Sequence, residues 1–577
     1  MTIELDHLTL EAPDSGTRAL LQDLSIQFNS GEITLLLGCT GSGKTTLLQT
    51  IAGLKPPSAG HIALNGEPFW QNGKVPRSIL LQMGLVFQFP EQQLFARSIQ
   101  REFSYSLRPY PLSDEQKKCQ MTESLVQWDP PTDPDEMKQR FNPDRSPFAL
   151  SGGERRRLGL ALGTATKPEW LLLDEPSAGL EAQSVLLLLD VLKRHRNVGK
   201  GAIVATHDLD TFLPIADRVL LLREGRLIAD LTPRELHMHP ELLEEAEIGL
   251  PPSMRLAQQL RAAGMDLPTA MTPEEMAASI AQTSFQASNE LRQQGEQSRS
   301  VPGTSEASQQ ELAKMEHSIE AQEATPPNGL YRNMDPRLKW LLYILLVTAA
   351  MLQHRWIGLS LTLVPVVLAL SILPRQTLAG CVKLMKPLLL FFIISTALSG
   401  TTLATEGGSL RFGFSLLQAE ATLLNVFRLF IVTLASLWFS LTTPYGRMVE
   451  GLNWVLGIGK KIRLPVASFA LAVSLIFRFI PMIWSEWQRF SLIVRSRGKA
   501  VLKPNTVRVR DIGPMVIPLL MSLLQRAEDM TIAMEMRKVR ENPMLGVRST
   551  LLVWSKRDTI ICCIGLIVFV LFISIRK

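Results

Sequence analysis

An apolar pentapeptide, Ile33 to Leu37, runs directly into Gly38-Cys39-Thr40-Gly41-Ser42-Gly43-Lys44-Thr45, and the helix-forming residues Thr46 to Leu54 come next. A buried strand, a glycine-rich turn and a helix in that order begin a parallel α/β layer, and the turn has the G-x-x-x-x-G-K-[ST] spacing of a phosphate loop. Small residues let successive backbone N–H groups turn toward phosphate oxygens, and the helix opening at Lys44 adds its positive N-terminal dipole. The Lys44 ammonium is expected to reach the β- and γ-phosphates of a nucleotide. Thr45 is expected to give Mg²⁺ a hydroxyl ligand, with Thr46 beside it in the binding turn.

A second apolar strand, Leu171-Leu172-Leu173, delivers Asp174 and Glu175 at its C-terminal end, where open parallel α/β sheets hold their ligands. Asp174 suits the Mg²⁺ shell and Glu175 the water that attacks in line. The metal and Lys44 would then stabilise charge building on the transferred phosphoryl group.

About twenty residues before that strand stands Leu150-Ser151-Gly152-Gly153-Glu154-Arg155. It resembles the signature of ATP-binding cassette (ABC) proteins and separates this chain from other phosphate-loop ATPases. The resemblance implies that Ser151, Gly152 and Gly153 meet the γ-phosphate held by a partner cassette, so that two cassettes pair head to tail around two ATP molecules. Gln88 matches the family's Q-loop glutamine, implied to sense the γ-phosphate, to join the Mg²⁺ shell and to touch the membrane subunit. His207, in Thr206-His207-Asp208, matches its switch histidine. Two positions depart from the pattern. Ala12 stands where an aromatic usually stacks on adenine, and Ser177-Ala178-Gly179-Leu180-Glu181 ends in Glu where the family has Asp.

The run Val86-Phe87-Gln88-Phe89-Pro90-Glu91-Gln92-Gln93-Leu94-Phe95 resembles the Q-loop of the A component of energy-coupling factor transporters. These are prokaryotic importers of vitamins and transition-metal ions, in which two cassettes and a T component drive an interchangeable substrate-binding S component. The resemblance therefore implies a second ATPase subunit and a small hydrophobic S component as partners.

The cassette is expected over 1–232, with a helical extension over 233–282, where apolar residues recur at helical spacing and Thr272-Pro-Glu-Glu begins a capped turn. Residues 283–329 are rich in Gln, Ser and Glu and read as a flexible tether. A T-component-like region is expected over 330–577, since Asp335-Pro336-Arg337-Leu338-Lys339 resembles the motif before the first T-component helix. Apolar stretches come after it at Trp340–Leu352, Trp356–Leu373, Pro387–Leu403, Ala421–Leu441 and Thr559–Ile575. Against the roughly 20 residues needed to cross a bilayer, they predict a multi-pass protein.

Arg375, Lys383, Lys386, Arg447, Lys460, Lys461 and Arg463 fall in loops on one side, and Glu406, Arg411 and Glu420 on the other. The cassette needs cytoplasmic ATP, which fixes the start of the first span inside, and the positive-inside bias agrees; the family resemblance implies the inner membrane of a prokaryotic cell. Arg428, inside the fourth stretch, reads equally as a functional cation or a snorkelling one.

Leu464–Trp484 is a further apolar stretch, and the mixed segments at about 486–510 and 512–540 read as cytoplasmic amphipathic helices. Each carries a small basic tract, Arg495-Ser496-Arg497-Gly498 and Met536-Arg537-Lys538. T components carry two Ala-Arg-Gly motifs there, each arginine docking on one cassette, so Arg497 and Arg537 are the implied coupling residues. A guanidinium fits a carboxylate or a groove of helix-end carbonyls.

The net charge of +6 arises from these basic loops and calls for no nucleic acid partner. Five scattered cysteines form no metal-ligand spacing and suggest a reducing compartment, and no cleavable signal peptide is expected before the cassette. The expected architecture is an α/β phosphate-loop ABC ATPase with a small helical extension, then an all-α polytopic membrane domain with coupling helices. The expected function is ATP-driven uptake as an A–T fusion, paired more readily with a separate cassette than with its own copy. A homodimeric exporter and a membrane-anchored regulatory ATPase stay open as alternatives.

Overall fold

The computed structural model describes residues 1–12, 19–130, 142–262, 275, 277, 334–373, 375–406, 409–443, 447–448, 451, 466–501, 506–536 and 554–575. They divide into two units, Met1–Lys314 with Trp484–Gln525, and Met315–Ile483 with Arg526–Lys577.

The first unit opens with β1 (Thr2–Glu11), β2 (Ala19–Asn29), β3 (Ile33–Leu37), α1 (Lys44–Ile51), β4 (Ala59–Leu64), β5 (Glu67–Pro68), α2 (Arg77–Gln82) and β6 (Met83–Val86). It continues through α3 (Ile99–Leu107), α4 (Asp114–Trp128), α5 (Gly152–Thr164), β7 (Trp170–Asp174), α6 (Ala182–Asn197), β8 (Gly201–Ala205), α7 (Leu209–Phe212), β9 (Arg218–Arg223) and β10 (Arg226–Leu231). Strands order as β10-β9-β3-β8-β7-β6 in one sheet and β2-β1-β4-β5 in an antiparallel one.

In β3, β7 and β8 every residue is buried, the pattern of parallel strands covered on both faces. Alternation along β3 sends Leu35 and Leu37 to one core with Leu171, Leu173 and Val204, and Leu36 to the other with Leu172, Ile203 and Leu220. Leu36 of β3 and Asp174 of β7 both pair with Ala205 of β8, so three neighbouring strands end at one level. The segments that leave them are the phosphate loop, Glu175 and Thr206-His207.

The extension comes next as α8 (Pro233–Met238), α9 (Glu241–Glu245) and α10 (Pro252–Ala262). Thr232 and Glu235 form a reciprocal capping box at the start of α8. Leu236, Leu243, Ala246 and Met254 are buried in the same core as β3 and β7, so this part packs as one body with the cassette. The expected capped turn at Thr272 and the tether at 283–329 lie outside the described residues.

The second unit holds α11 (Pro336–Leu352), α12 (Trp356–Ser371), α13 (Arg375–Gly400), β11 (Thr401–Glu406), β12 (Ser409–Phe414), α14 (Leu416–Thr442) and α17 (Lys556–Ile575). Between α14 and α17 run α15 (Val466–Gly498) and α16 (Val509–Met536), each of which contributes residues to both units. Two helices among the described residues, Leu416–Thr442 and Lys556–Ile575, are long and apolar enough to cross a membrane, while Trp356–Ser371 and Met385–Gly400 are apolar but shorter. The third apolar stretch, expected to run to Leu403, ends as helix at Gly400, and the chain turns into the β11–β12 hairpin.

Polar side chains tie the helix ends of this unit together. Asp335 caps α11 by accepting from the Arg337 N–H at 2.8 Å, while its own N–H donates to Asp558 Oδ1 of α17 at 3.4 Å. One turn on, Lys339 Nζ donates to the Thr442 carbonyl at the end of α14 at 2.6 Å. Arg428 donates to the Gln353 carbonyl at 2.7 Å, and the Gln353 amide donates to the Phe572 carbonyl at 2.8 Å. Arg428 is thereby bonded into the α11–α14–α17 bundle.

The coupling segments differ from the expected boundaries. The apolar stretch 464–484 and the segment expected as a separate helix at about 486–510 form one helix, α15, which passes through Pro481 and stops at Gly498. The helix stops because Lys499 adopts φ 44°, a left-handed conformation that ends an α-helix. The second segment begins at Val509 and is described to Met536, so Arg537 lies outside the described residues.

Candidate nucleotide site and coupling seat

Left-handed backbone shapes the phosphate loop, with φ of 88° at Gly41 and 106° at Gly43. A Cβ on Gly38 would collide with the Leu222 carbonyl and Ser42 Oγ, so the strand end has no room for a side chain there. Gly43 caps α1, and Thr40, Gly41 and Thr45 are exposed while Ser42 is buried. Lys44 Nζ donates to the carbonyls of Gly38 at 2.5 Å and Cys39 at 3.1 Å, which folds the side chain back over the loop. Burial lowers its pKa, against the opposing pull of the Glu175 charge. Thr46, half-buried, lies in the first turn of α1.

Across the sheet, Thr45 Oγ1 donates to Asp174 Oδ1 at 3.1 Å. Burial pushes the Asp174 carboxyl up to about 6; the Thr45 hydrogen bond opposes that and the Glu175 charge reinforces it. Glu175 holds φ 46°, a strained backbone for a residue with a side chain, and its N–H donates to the Ala205 carbonyl at 2.8 Å. That turn brings Glu175 Oε2 to 2.7 Å from Nδ1 of His207, whose ring is largely exposed. Lys44, Thr45, Asp174, Glu175 and His207, scattered in sequence, thus share one end of the sheet.

The signature residues stand on a different surface. Ser151 caps α5 in a capping box with Glu154: its hydroxyl accepts from the Glu154 N–H at 3.3 Å, and its own N–H donates to Glu154 Oε2 at 2.7 Å. Ser151 and Gly152 are exposed, and a Cβ on Gly152 would meet open space. The atoms nearest a Cβ on Gly153 are Arg157 Nη1 at 3.8 Å and Glu181 Oε1 at 3.9 Å. The loop carrying the Glu-for-Asp departure therefore lies against the signature turn of its own chain. Ala12 comes directly after β1, with a partly exposed side chain.

Gln88 is exposed at the end of β6, and its carbonyl accepts from Arg156 Nη2 at 3.2 Å. Next along the chain is the 3₁₀ turn Pro90–Gln93, and there the coupling segment meets the cassette within the first unit. Arg497 Nη1 donates to the Gln93 carbonyl at 2.6 Å, Nη2 to Glu102 Oε2 at 2.6 Å and to the Glu102 carbonyl at 3.0 Å, and Nε to Ser106 Oγ at 2.9 Å. The guanidinium carbon lies 4.5 Å from the centre of the Phe95 ring. The other Glu102 oxygen accepts from the N–H groups of Phe95 and Ala96, both at 2.5 Å, so this buried carboxylate is satisfied on both sides.

Sequence reasoning missed the acceptors and the neighbours of this seat. Arg495 donates to the Leu54 carbonyl at 3.2 Å, Lys499 to the Met83 carbonyl, and Arg489 to the Gln92 side chain. Arg108 of the cassette pairs with the buried Asp511 of α16 at 3.2 Å. The available signal was the glutamate at position 102, an acid on a helix face otherwise occupied by Ile99, Phe103 and Ser106. Gly498 has its own reason, because a Cβ there would come within 2.9 Å of the Tyr105 hydroxyl.

Two family models match the chain, ABC transporter over residues 21–178 and Cobalt transport protein over residues 328–541. The energy-coupling factor transporter ATP-binding protein EcfA2 of Lactobacillus johnsonii is 32% identical over 301 residues, which cover 51% of this chain and 99% of that protein. EcfA2 of Symbiobacterium thermophilum is 35% identical over 263 residues, covering 45% of this chain and 88% of that protein. Among solved structures, cbiO1 from Clostridium perfringens, described as part of the ABC transporter complex cbiONQ, is 26% identical with a TM-score of 0.35, covering 44% of this chain and 98% of that one. With an EcfA2 matched over almost its whole length and a cobalt-transport-protein domain behind it, this chain belongs to the energy-coupling factor transporter family and joins an ATP-binding A component to a membrane T component in one polypeptide.

Proposed function

We propose that this chain is the ATP-hydrolysing energy-coupling module of an importer, converting closure of a cassette pair into movement of a separate substrate-binding membrane subunit. The observation that carries this reading is the four-bond seat of Arg497, from the cobalt-transport-protein match, around Glu102, from the ABC transporter match. A membrane-anchored regulator would have no use for a buried guanidinium beside its Q-loop.

In the nucleotide site, Lys44 swings from the carbonyls of Gly38 and Cys39 to the β- and γ-phosphates, and the loop N–H groups hold the remaining oxygens. Thr45 and Asp174 place a hydroxyl and a carboxylate oxygen 3.1 Å apart, a hard-oxygen pair that fits Mg²⁺, with Gln88 completing the protein ligands. When bound, the ion offsets charge on the β- and γ-phosphate oxygens. Glu175 orients and polarises the attacking water, and His207 beside it fixes the carboxylate and contacts the γ-phosphate. Ser151, Gly152 and Gly153, at the exposed N-terminus of α5, serve the nucleotide bound by the opposite cassette.

The opposite cassette is a separate A component, whose seat receives Arg537. The chain is a multi-pass protein of the prokaryotic inner membrane with its cassette in the cytoplasm, and the cargo is a vitamin or transition-metal ion carried by the S component. Tagging this chain in its native host, purifying it in detergent and identifying what accompanies it by mass spectrometry tests the proposal. A second cassette and a small, very hydrophobic membrane protein are expected. Recovery of this chain alone as an ATP-hydrolysing homodimer would overturn the importer reading in favour of an exporter.

A further inference from the structure

The Q-loop turn is held from two sides by two different parts of the chain. From one side, Arg489 and Arg497 take Gln92 and the Gln93 carbonyl. From the other, Arg156, in the second turn of the signature helix α5 and buried, takes the Gln88 carbonyl at 3.2 Å and lies 3.9 Å from Glu91 Oε2. Three residues further along α5, a Cβ on Gly159 would fall 2.6 Å from the backbone of Pro90, so helix and turn are packed backbone to backbone. A second loop packs against the same guanidinium: its Nη1 lies 3.0 Å from the point a Cβ on Gly179 would occupy, in the loop that ends at Glu181.

We propose that Arg156 is a positioning residue that locks the Pro90–Gln93 turn and Gln88 to the signature helix, so that displacement of the Arg497 segment reaches Gln88 and Ser151 together. Three properties support this assignment. The guanidinium is planar and forked, so one side chain can face the Gln88 carbonyl and the Glu91 carboxylate of the same turn at once. It is buried among backbone groups and one half-buried carboxylate, where a lost partner is not replaced by water. It also sits on the helix whose first turn carries Ser151, and a helix transmits a push along its axis with little internal give. Arg156 touches neither the phosphate loop nor Asp174 through any bond among the described residues, so its effect falls on turnover rather than on nucleotide capture.

The inference deepens the function proposed above and rests on Gln88 as the γ-phosphate sensor. The test is steady-state ATPase kinetics of the full chain, purified from its native host with its co-purifying subunits, as wild type, Arg156→Gln, Arg156→Lys and Gln88→Ala. Arg156→Gln is expected to lower kcat about tenfold with KM for ATP within about twofold and the fraction of active sites unchanged, and Arg156→Lys, which keeps the charge and loses the fork, to lower kcat by a smaller factor with KM likewise unchanged. Unchanged kcat in Arg156→Gln overturns the proposal. So does a loss that tracks a lower melting temperature or fewer active sites, which marks a structural role alone. If Arg156→Gln cannot be purified folded, the Arg156→Lys split of kcat against KM decides. Normal turnover in Gln88→Ala would instead remove the sensing role of Gln88 and leave the Arg156 result to be read separately.

Discussion

Arg497 and Glu102 form a buried ion pair at 2.6 Å, one partner from α15 and the other from α3 of the cassette. All three guanidinium nitrogens and both carboxylate oxygens have a hydrogen-bond partner, which is what lets two charges stay out of water.

Truncating one partner strands the other. Arg497→Ala should loosen the docked segment by on the order of 3 kcal/mol, because Glu102 is left charged and buried. Amide exchange at residues 489–499 should rise in the full chain, and substrate uptake should be lost while ATP still binds. Arg497→Met with Glu102→Gln should restore part of the exchange protection without restoring uptake, since the amide oxygen still accepts from Phe95 and Ala96 while methionine gives no directional grip.

The proposed role of Glu175, orienting the attacking water, separates chemistry from nucleotide capture. Glu175→Gln should lower kcat by at least about 100-fold with little change in ATP affinity, measured by single-turnover hydrolysis and equilibrium binding. A comparable loss of affinity would instead assign Glu175 to binding.

Lys499 carries a pH dependence of definite sign. Burial lowers its pKa from 10.5 to about 8 in the folded chain. Between those values the unfolded state binds more protons, so the contribution to stability is absent below pH 8, grows as pH rises and is complete above 10.5. Its full size is at most about 3 kcal/mol. Lys499→Met should therefore raise the melting temperature at pH 7 and lose that advantage as pH approaches 10.

Ser151 has a second task besides its place in the signature. Ser151→Ala removes the N-cap of α5 and should destabilise the cassette by about 1 kcal/mol in urea titration. Ser151→Asp, which retains the cap but adds charge, should recover stability while ATP hydrolysis stays low.

The nucleotide half was legible because its chemistry is local. Gly38 to Thr45 specify their turn by glycine conformations, Thr46 to Leu54 specify the helix behind it, and the strand ending in Asp174 and Glu175 announces itself as a continuous apolar run. The membrane half was legible as apolar stretches with less exact ends. The continuity of Val466–Gly498 was not visible, because hydropathy changes along that helix while its backbone does not.

By itself the sequence determined the α/β cassette, its phosphate loop and carboxylates, the apolar second half and the basic tract around Arg497, all of them properties of residues near one another in the chain. Tertiary structure alone decided which groups meet. Asp174 comes beside Thr45, His207 beside Glu175, Arg156 beside Gln88, and Glu102 beneath Arg497, across 395 residues of chain. Strand order and helix packing set those pairings, and no local propensity carries information about a partner so far away.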